Sequence, residues 1–219
     1  TMKVLVIGGG GREHALAWKL SKSNMVTNVF VAPGNGGTEI EELIQNIDIE
    51  ANDIEKLSAF VKREGVDLTI VGPEDPLVEG ITDKFQEEGL LCFGPSKDAA
   101  RLEGSKEFMK DFLIRHNIPT ASYETFTDSK KAISYIKEQS FPIVIKADGL
   151  AAGKGVTVAF NVDQAIEAVN QSLESKTFGE AGSKIVVEEY LEGEEASFIV
   201  LTDGNTVIPF ASSQDHKAR

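Results

Sequence analysis

The chain has 219 residues, 41% of them hydrophobic and 26% charged, and carries a formal charge of −13 at neutral pH. That length allows one large or two smaller domains. No run of about 18 apolar residues marks a membrane-spanning helix, and so large an acidic excess argues against a general nucleic-acid surface, which needs a basic face.

Residues 3–7 form an apolar run that reads as a strand buried on both faces. It runs directly into Gly8-Gly-Gly-Gly11, unlike a secretion signal. A helix is expected over about 12–21, a strand over 28–32, and a short third strand over 46–49. Asn52 or Asp53 can cap a helix whose Ile54, Leu57 and Val61 share one face. Residues 67–71 read as a strand. Asp75 and Pro76 are the expected N-cap and first residue of the next helix. Residues 90–93 close the set with a strand that contains Cys92, which reads as a small buried apolar side chain rather than a nucleophile or ligand. A single cysteine permits no internal disulfide and fits a cytoplasmic protein. Strands alternating with helices predict an α/β fold with a doubly wound parallel sheet.

Four of these strands end in turn chemistry, at residues 8–11, 33–35, 72–75 and 94–96. In an open α/β sheet the ligand crevice lies beyond the carboxyl ends of the strands, so the four loops border one crevice. Arg12, Glu13, His14, Asn35, Glu74 and Asp75 are its polar candidates. The glycine run fails the dinucleotide fingerprint: the third glycine would fall at Glu13, and the second strand ends without the ribose-binding acid. What remains is a glycine loop at a helix N-terminus, a phosphate seat to which Arg12 can add a bidentate contact. His14 alone also reads as an ordinary polar residue of a first helical turn.

From about residue 103 the rhythm changes. Ser105 can cap a helix carrying Phe108, Met109, Phe112 and Leu113 on one side, with Lys106 at its start; taken alone, Lys106 reads as solvated. An extended linker, Ile118-Pro-Thr120, leads into a unit over 123–190 that reads β–α–β–turn–β–α–β, with helices near 128–139 and 163–173 and a strand at 184–188. Its turn is the most telling segment. An apolar strand ends in Lys146, and Gly149, Ala151, Gly153, Lys154 and Gly155 follow before the chain re-enters a strand. Backbone N–H groups there can approach phosphate oxygens, with lysine adding a point charge. A Walker A loop needs four residues between its glycines and Ser or Thr after the lysine; here three residues separate Gly149 from Gly153, and Gly155 follows Lys154. The competing reading is a tight hairpin with one exposed lysine. The acidic stretch at 188–195 reads as a solvated turn, unless Glu188, ending one strand, and Glu195, opening another at 196–201, face one cleft from adjacent strands.

Gly104-Ser-Lys106, the strand-end Lys146 before its flap, and Glu188-x-Tyr-Leu191 with Glu195 beyond together resemble the ATP-grasp superfamily. The resemblance is closer still to the glycinamide ribonucleotide synthetase (phosphoribosylamine–glycine ligase) family. It is carried by Val6-Ile-Gly-Gly-Gly-Gly-Arg-Glu-His-Ala15, Ala32-Pro-Gly-Asn35, Ile70-Val-Gly-Pro-Glu74, Leu102-Glu-Gly-Ser-Lys106, Lys146-Ala-Asp-Gly-Leu-Ala-Ala-Gly-Lys-Gly155, Glu192-Gly-Glu-Glu-Ala-Ser197 and Ser213-Gln-Asp-His-Lys217. These segments span the whole chain, which resembles the N-terminal half of that family's enzymes.

The resemblance implies a pre-ATP-grasp α/β domain over 1–103, an α+β lid subdomain over 123–191, and the start of the ATP-grasp core in 104–122 and 192–219. It implies an ATP-dependent ligase of purine synthesis, joining glycine to 5-phosphoribosylamine through a glycyl phosphate. Lys106 and Lys146 would be catalytic. ATP would meet both lysines, the flap residues, Glu188, Glu189, Tyr190, Leu191 and Glu195. The amine substrate would meet Gly9, Gly10, Gly11, Arg12, Glu13, His14, Asn35, Gly72, Pro73, Glu74, Asp75, Asp215, His216 and Lys217. The Mg²⁺ or Mn²⁺ ligands would lie beyond Arg219, leaving these residues by themselves inactive. A cytoplasmic monomer, without nucleic-acid or membrane partners, is the accompanying expectation. The rival readings are a non-catalytic nucleotide-binding module and, more weakly, a dinucleotide oxidoreductase.

Overall fold

The computed structural model describes residues 1–151 and 154–215. Its first half is a five-stranded parallel sheet in the order β3-β2-β1-β4-β5, built from β1 (Met2–Gly8), β2 (Val26–Pro33), β3 (Ile44–Asn46), β4 (Leu68–Val71) and β5 (Cys92–Phe93). Alternate side chains of β1 enter opposite cores, as the period of two requires. Leu5 and Ile7 pack with Leu57, Phe60, Ile81 and Phe85 from helices α3 (Ile54–Glu64) and α5 (Ile81–Glu87). Val6 packs with Ala17 of α1 (Gly11–Ser21), Val29 and Val31 on the other face. A sheet covered on both faces explains why β1 reads as an unbroken apolar run.

Several boundaries differ from the sequence reading. Strand β3 lies at 44–46 rather than 46–49, because Asn46 turns its side chain to Thr38 and to the carbonyl of Asn35, although Ile47 N–H still donates to Val31 O. Helix α4 (Glu74–Glu79) begins after Pro73, so Asp75 is not its N-cap and Pro76 is its third residue, within the first turn. Proline is tolerated there because the first N–H groups of a helix lack intrahelical partners anyway. Asp53, by contrast, caps α3 as expected, accepting from Lys56 N–H at 3.2 Å. A helix unsignalled by any strong apolar stripe, α6 (Lys97–Gly104), is capped by Ser96. It breaks at Ser105, whose extended backbone restarts the chain as α7 (Lys106–Arg115) and whose hydroxyl caps the new helix. The restart puts Lys106 at the first position of a helix.

The second unit is a four-stranded antiparallel sheet in the order β6-β9-β7-β8, from β6 (Tyr123–Phe126), β7 (Ile143–Ala147), β8 (Val156–Ala159) and β9 (Ile185–Glu189). Ile143, Ile145, Ile185 and Val187 pack beneath α8 (Ser129–Ile136) and α9 (Val162–Val169). Lys146, Val144, Val186 and Glu188 are the alternate positions of the same strands. Register pairs Lys146 with Val186 and Val144 with Glu188, so the lysine and the carboxylate are diagonal neighbours on one face. Helix α7 contributes its Lys110, Glu107 and Asp111 to that face.

The strand expected at 196–201 is displaced: β10 (Val200–Thr202) pairs only with β11 (Val207–Pro209), and Ser197 forms an isolated bridge to Ser213. Phe198, Ile199, Val207, Ile208 and Phe210 around this hairpin are all more than half exposed. No helix among the described residues is long and apolar enough to cross a membrane. Cys92 packs beside the first core, and burial pushes its thiol up to about 11, as suits an inert side chain.

Candidate functional site

Two constellations occupy the places picked out by the sequence. The first lies where the parallel sheet reverses its order, between β1 and β4. Gly72 N–H bonds Ile7 O at 3.0 Å, Gly34 N–H bonds Gly8 O at 3.2 Å, and Asn35 Nδ2 donates to Gly9 O at 2.9 Å. The loops at 8–11, 33–35 and 72–75 are thereby stitched into one rim.

Glu13, only 4% exposed, is wedged among these loops. Its Oε2 accepts Gly10 N–H at 2.7 Å and its Oε1 accepts Arg12 Nε at 3.2 Å. A Cβ on Gly72 would lie 2.2 Å from Glu13 Oε1, and one on Gly8, at φ +127°, 2.5 Å from its Cγ. The side chain that breaks the dinucleotide fingerprint is thus the one that fills this gap. Glu13 also engages the N–H of Gly10, so that donor is committed within the loop. Replacing Gly72 with alanine should expel the Glu13 carboxylate from its pocket and lower stability by about 2–3 kcal/mol. A thermal scan showing an unchanged midpoint would contradict the wedge.

Arg12, with 62% of its side chain exposed, donates to Gly72 O at 2.9 Å and approaches Glu74 at 3.6 Å. His14 is half-buried, 3.2 Å from Glu41 Oε1 and against Gly37. The Asn35 oxygen caps α2 (Gly36–Glu39), accepting from Gly37 and Thr38 N–H. The structure thus gives His14 and Asn35 structural partners at the rim. Thr38 and Asn46, which complete that network, carry no sequence signal beyond being polar.

The second constellation lies on the polar face of the antiparallel sheet. Glu188 is 6% exposed and bridges two lysines. Lys146 Nζ stands 2.9 Å from Oε1 and 3.0 Å from Oε2, and Lys110 Nζ 3.3 Å from Oε2. Only the Oε2 contact of Lys146 has hydrogen-bond geometry, so Oε1 is a buried acceptor without a bonded donor. Lys106 donates to the carbonyls of Asp148 and Gly149 at 3.4 and 3.0 Å, holding the base of the flap. Burial pulls its ammonium below the ordinary lysine value, against the attraction of Asp148 and Glu103. Asp148 accepts from Glu107 N–H at 2.7 Å and from Ser105, tying the flap to the start of α7. Between the units a cleft of about 530 Å³ is lined by Glu74 and Asp75 on one side and by Lys106, Ala151 and Gly155 on the other.

The flap glycines also have packing reasons. A Cβ on Gly149 would meet Ala181 Cα at 2.9 Å, and one on Gly155 would meet Ala147 Cβ at 2.8 Å. Lys154 is exposed. Gly153, His216 and Lys217 lie outside the described residues. The Glu189 side chain turns to Ser122, whose hydroxyl and N–H hold the carboxyl below the usual range, and its own N–H bonds Ser122 O. Tyr190 and Leu191 are exposed at the strand end. Glu195 lies in irregular chain, and β10 does not join the four-stranded sheet, so Glu188 and Glu195 do not sit on adjacent strands. Asp215 is likewise exposed, beside the Ser213 bridge. Lys110 and Asp148 were legible only as a helical lysine, ordinarily solvated, and a turn aspartate.

Comparison with known proteins gives two family matches: phosphoribosylglycinamide synthetase, N domain, over residues 2–103, and phosphoribosylglycinamide synthetase, ATP-grasp (A) domain, over residues 104–219. The phosphoribosylamine–glycine ligase of Pasteurella multocida is 59% identical over 216 residues, 99% of this chain and 50% of that protein. That of Escherichia coli K12 is also 59% identical, with the same coverage. The chain therefore spans about half the length of these curated relatives. The crystal structure of the Thermotoga maritima phosphoribosylamine–glycine ligase matches with a TM-score of 0.78 at 30% identity, over 96% of this chain and 49% of that one. N5-carboxyaminoimidazole ribonucleotide synthetase from the same organism, at 23% identity and a TM-score of 0.68, shares the fold, over 98% of this chain and 53% of that one.

Proposed function

We propose a function from the premise that the chain belongs to the phosphoribosylglycinamide synthetase family: it forms the amine-binding and nucleotide-binding half of an ATP-dependent ligase that joins glycine to 5-phosphoribosylamine. The observation that carries this is the cleft between the two units, where Lys106 and the flap face Glu74 and Asp75 of the glycine-loop crevice. Two substrates held on opposite walls of one cleft can react without diffusing apart.

ATP would lie against the antiparallel unit, and phosphoribosylamine at the rim of the parallel sheet. Lys106 and Lys146 would offset the charge of the ATP phosphates as glycine's carboxylate takes the γ-phosphoryl group. Flap residues 149–155 would cover the resulting acyl phosphate and exclude water. The amine then attacks that carbonyl and expels phosphate, leaving glycinamide ribonucleotide and ADP. Glu188 would accept from the adenine amine, with the strand end at 189–191 along the base edge and Glu195 at the ribose. Gly9, Gly11, Arg12 and the 72–75 turn would hold the sugar phosphate, with His14, Asn35 and Asp215 assigned to the same substrate.

Among the described residues no group of three or more His, Cys, Asp or Glu side chains could hold a metal ion. They do not supply a ligand set for the divalent cation expected of this chemistry, so none of the roles assigned here is that of a metal ligand. We assign residues 1–103 to amine binding, 123–191 to the lid, and 104–122 with 192–219 to the core of a cytoplasmic, monomeric enzyme. In a protein of the relatives' length, ADP release should require both glycine and phosphoribosylamine. ADP release of equal rate without glycine would overturn the ligase reading, and nucleotide binding without any turnover would favour a binding module.

A further inference from the structure

Lys110 has no role in the reading above, yet it is only 2% exposed. Burying a lysine is costly unless the charge is paired and its protons are bonded. Here Nζ faces Glu188 Oε2 at 3.3 Å and donates to Thr120 Oγ1 at 2.8 Å and to Ala121 O at 3.1 Å. Glu188 therefore has two ammonium partners of different character. The Lys110 side chain is 3% exposed and anchored on both remaining sides, whereas that of Lys146 is 26% exposed and stands at the mouth of the flap.

A nucleotide phosphate that draws Lys146 away would leave Glu188 buried with one partner fewer. Without Lys110 it would have no ammonium partner left, only the neutral adenine amine, and would have to take up a proton. The other groups around Glu188 do not substitute. Lys106 is bound to the flap carbonyls. Tyr123, paired with Glu188 across β6, is pushed up to about 12 by burial and by Asp111, and gives its hydroxyl proton to Asp111. Glu107 pairs with Lys184, and Glu189 with Ser122.

Building on the nucleotide reading of Lys146, we propose that Lys110 is a positioning residue: a fixed counter-charge that keeps Glu188 ionised and in place, so that Lys146 can be transferred to the nucleotide without protonation of the carboxylate.

The test is calorimetric titration of ADP into the chain between pH 7.5 and 8.5, in buffers of different ionisation enthalpy, which counts protons bound. Lys110→Met should take up about one proton more per ADP than the unaltered chain, so that its affinity falls about tenfold more per pH unit. Adding Glu188→Gln to that variant should abolish the extra proton, and Lys110→Arg should not show it. In the otherwise unaltered chain, Glu188→Gln should leave the proton count unchanged. A drop of one there would show that Glu188 already protonates on binding and would overturn the proposal even if Lys110→Met fails to fold. A folded Lys110→Met with an unchanged proton count, alongside a Lys146→Ala that weakens ADP tenfold or more, would make Lys110 purely structural. If ADP does not bind, or Lys146→Ala leaves its affinity intact, the nucleotide reading falls, and this inference with it.

Discussion

Lys146→Met should weaken ATP binding by about 100-fold, equivalent to about 3 kcal/mol, while leaving the thermal midpoint nearly in place. The ammonium stands at the cleft side of Glu188 with a quarter of its side chain exposed, where it can reach a phosphate. Its loss does not strand the buried carboxylate, since Lys110 remains. The contrasting variant is Gly10→Val. A Cβ there would lie 2.8 Å from Glu13 Oε2, so valine disturbs the carboxylate that holds the glycine loop. That change should weaken phosphoribosylamine binding in a protein of the relatives' length and spare ATP. Titration calorimetry and a two-substrate kinetic comparison read both effects. Equal losses of ATP affinity in the two variants would place the glycine loop in the nucleotide site and undo the division between the two walls.

Phe85→Ala should destabilise the parallel-sheet unit by about 3–5 kcal/mol. Phe85 is fully buried and packs with Leu5, Ile7, Leu57 and Ile81. A loss of that size is a large share of the roughly 5–15 kcal/mol by which a domain is stable. The antiparallel sheet has its own core, centred on Ile136, Ile145, Val169 and Ile185, which shares no residue with that cluster. Amide exchange should therefore speed up in β1 and β4 while β7 and β9 keep their protection. Matching losses in both sheets would mean that the two units unfold as one.

The parallel sheet was legible because burial on both faces demands continuous apolar strands, and the antiparallel unit because its strands, caps and glycine turn follow one another in sequence. Helix α6 was not, since it rests on Ser96 and a few short apolar side chains. The start of α4 was misread because Asp-Pro is a strong local signal that yields to the turn set by Gly72 and Pro73. The acidic stretch at 188–195 was half legible: Glu188 ends a strand and is buried between two lysines, but pairing of β10 with β11 alone removes Glu195 from any neighbouring strand.

By itself the sequence determined the order of elements, the glycine-lined loops at strand ends, and the strand-end lysine ahead of a flap. These are local properties, set by side-chain periodicity, caps and turn residues within a few positions of one another. Only the tertiary structure decided which charges meet. Lys146 and Glu188 are 42 positions apart and become neighbours through the antiparallel register of β7 and β9. Lys110 joins them because α7 crosses that face, and Glu13 fills the gap between two loops because β1 and β4 pair in parallel. A lysine or glutamate in a sequence carries no mark of whether it will be solvated or buried; that depends on a partner brought by another element, and on the desolvation that makes the partner necessary.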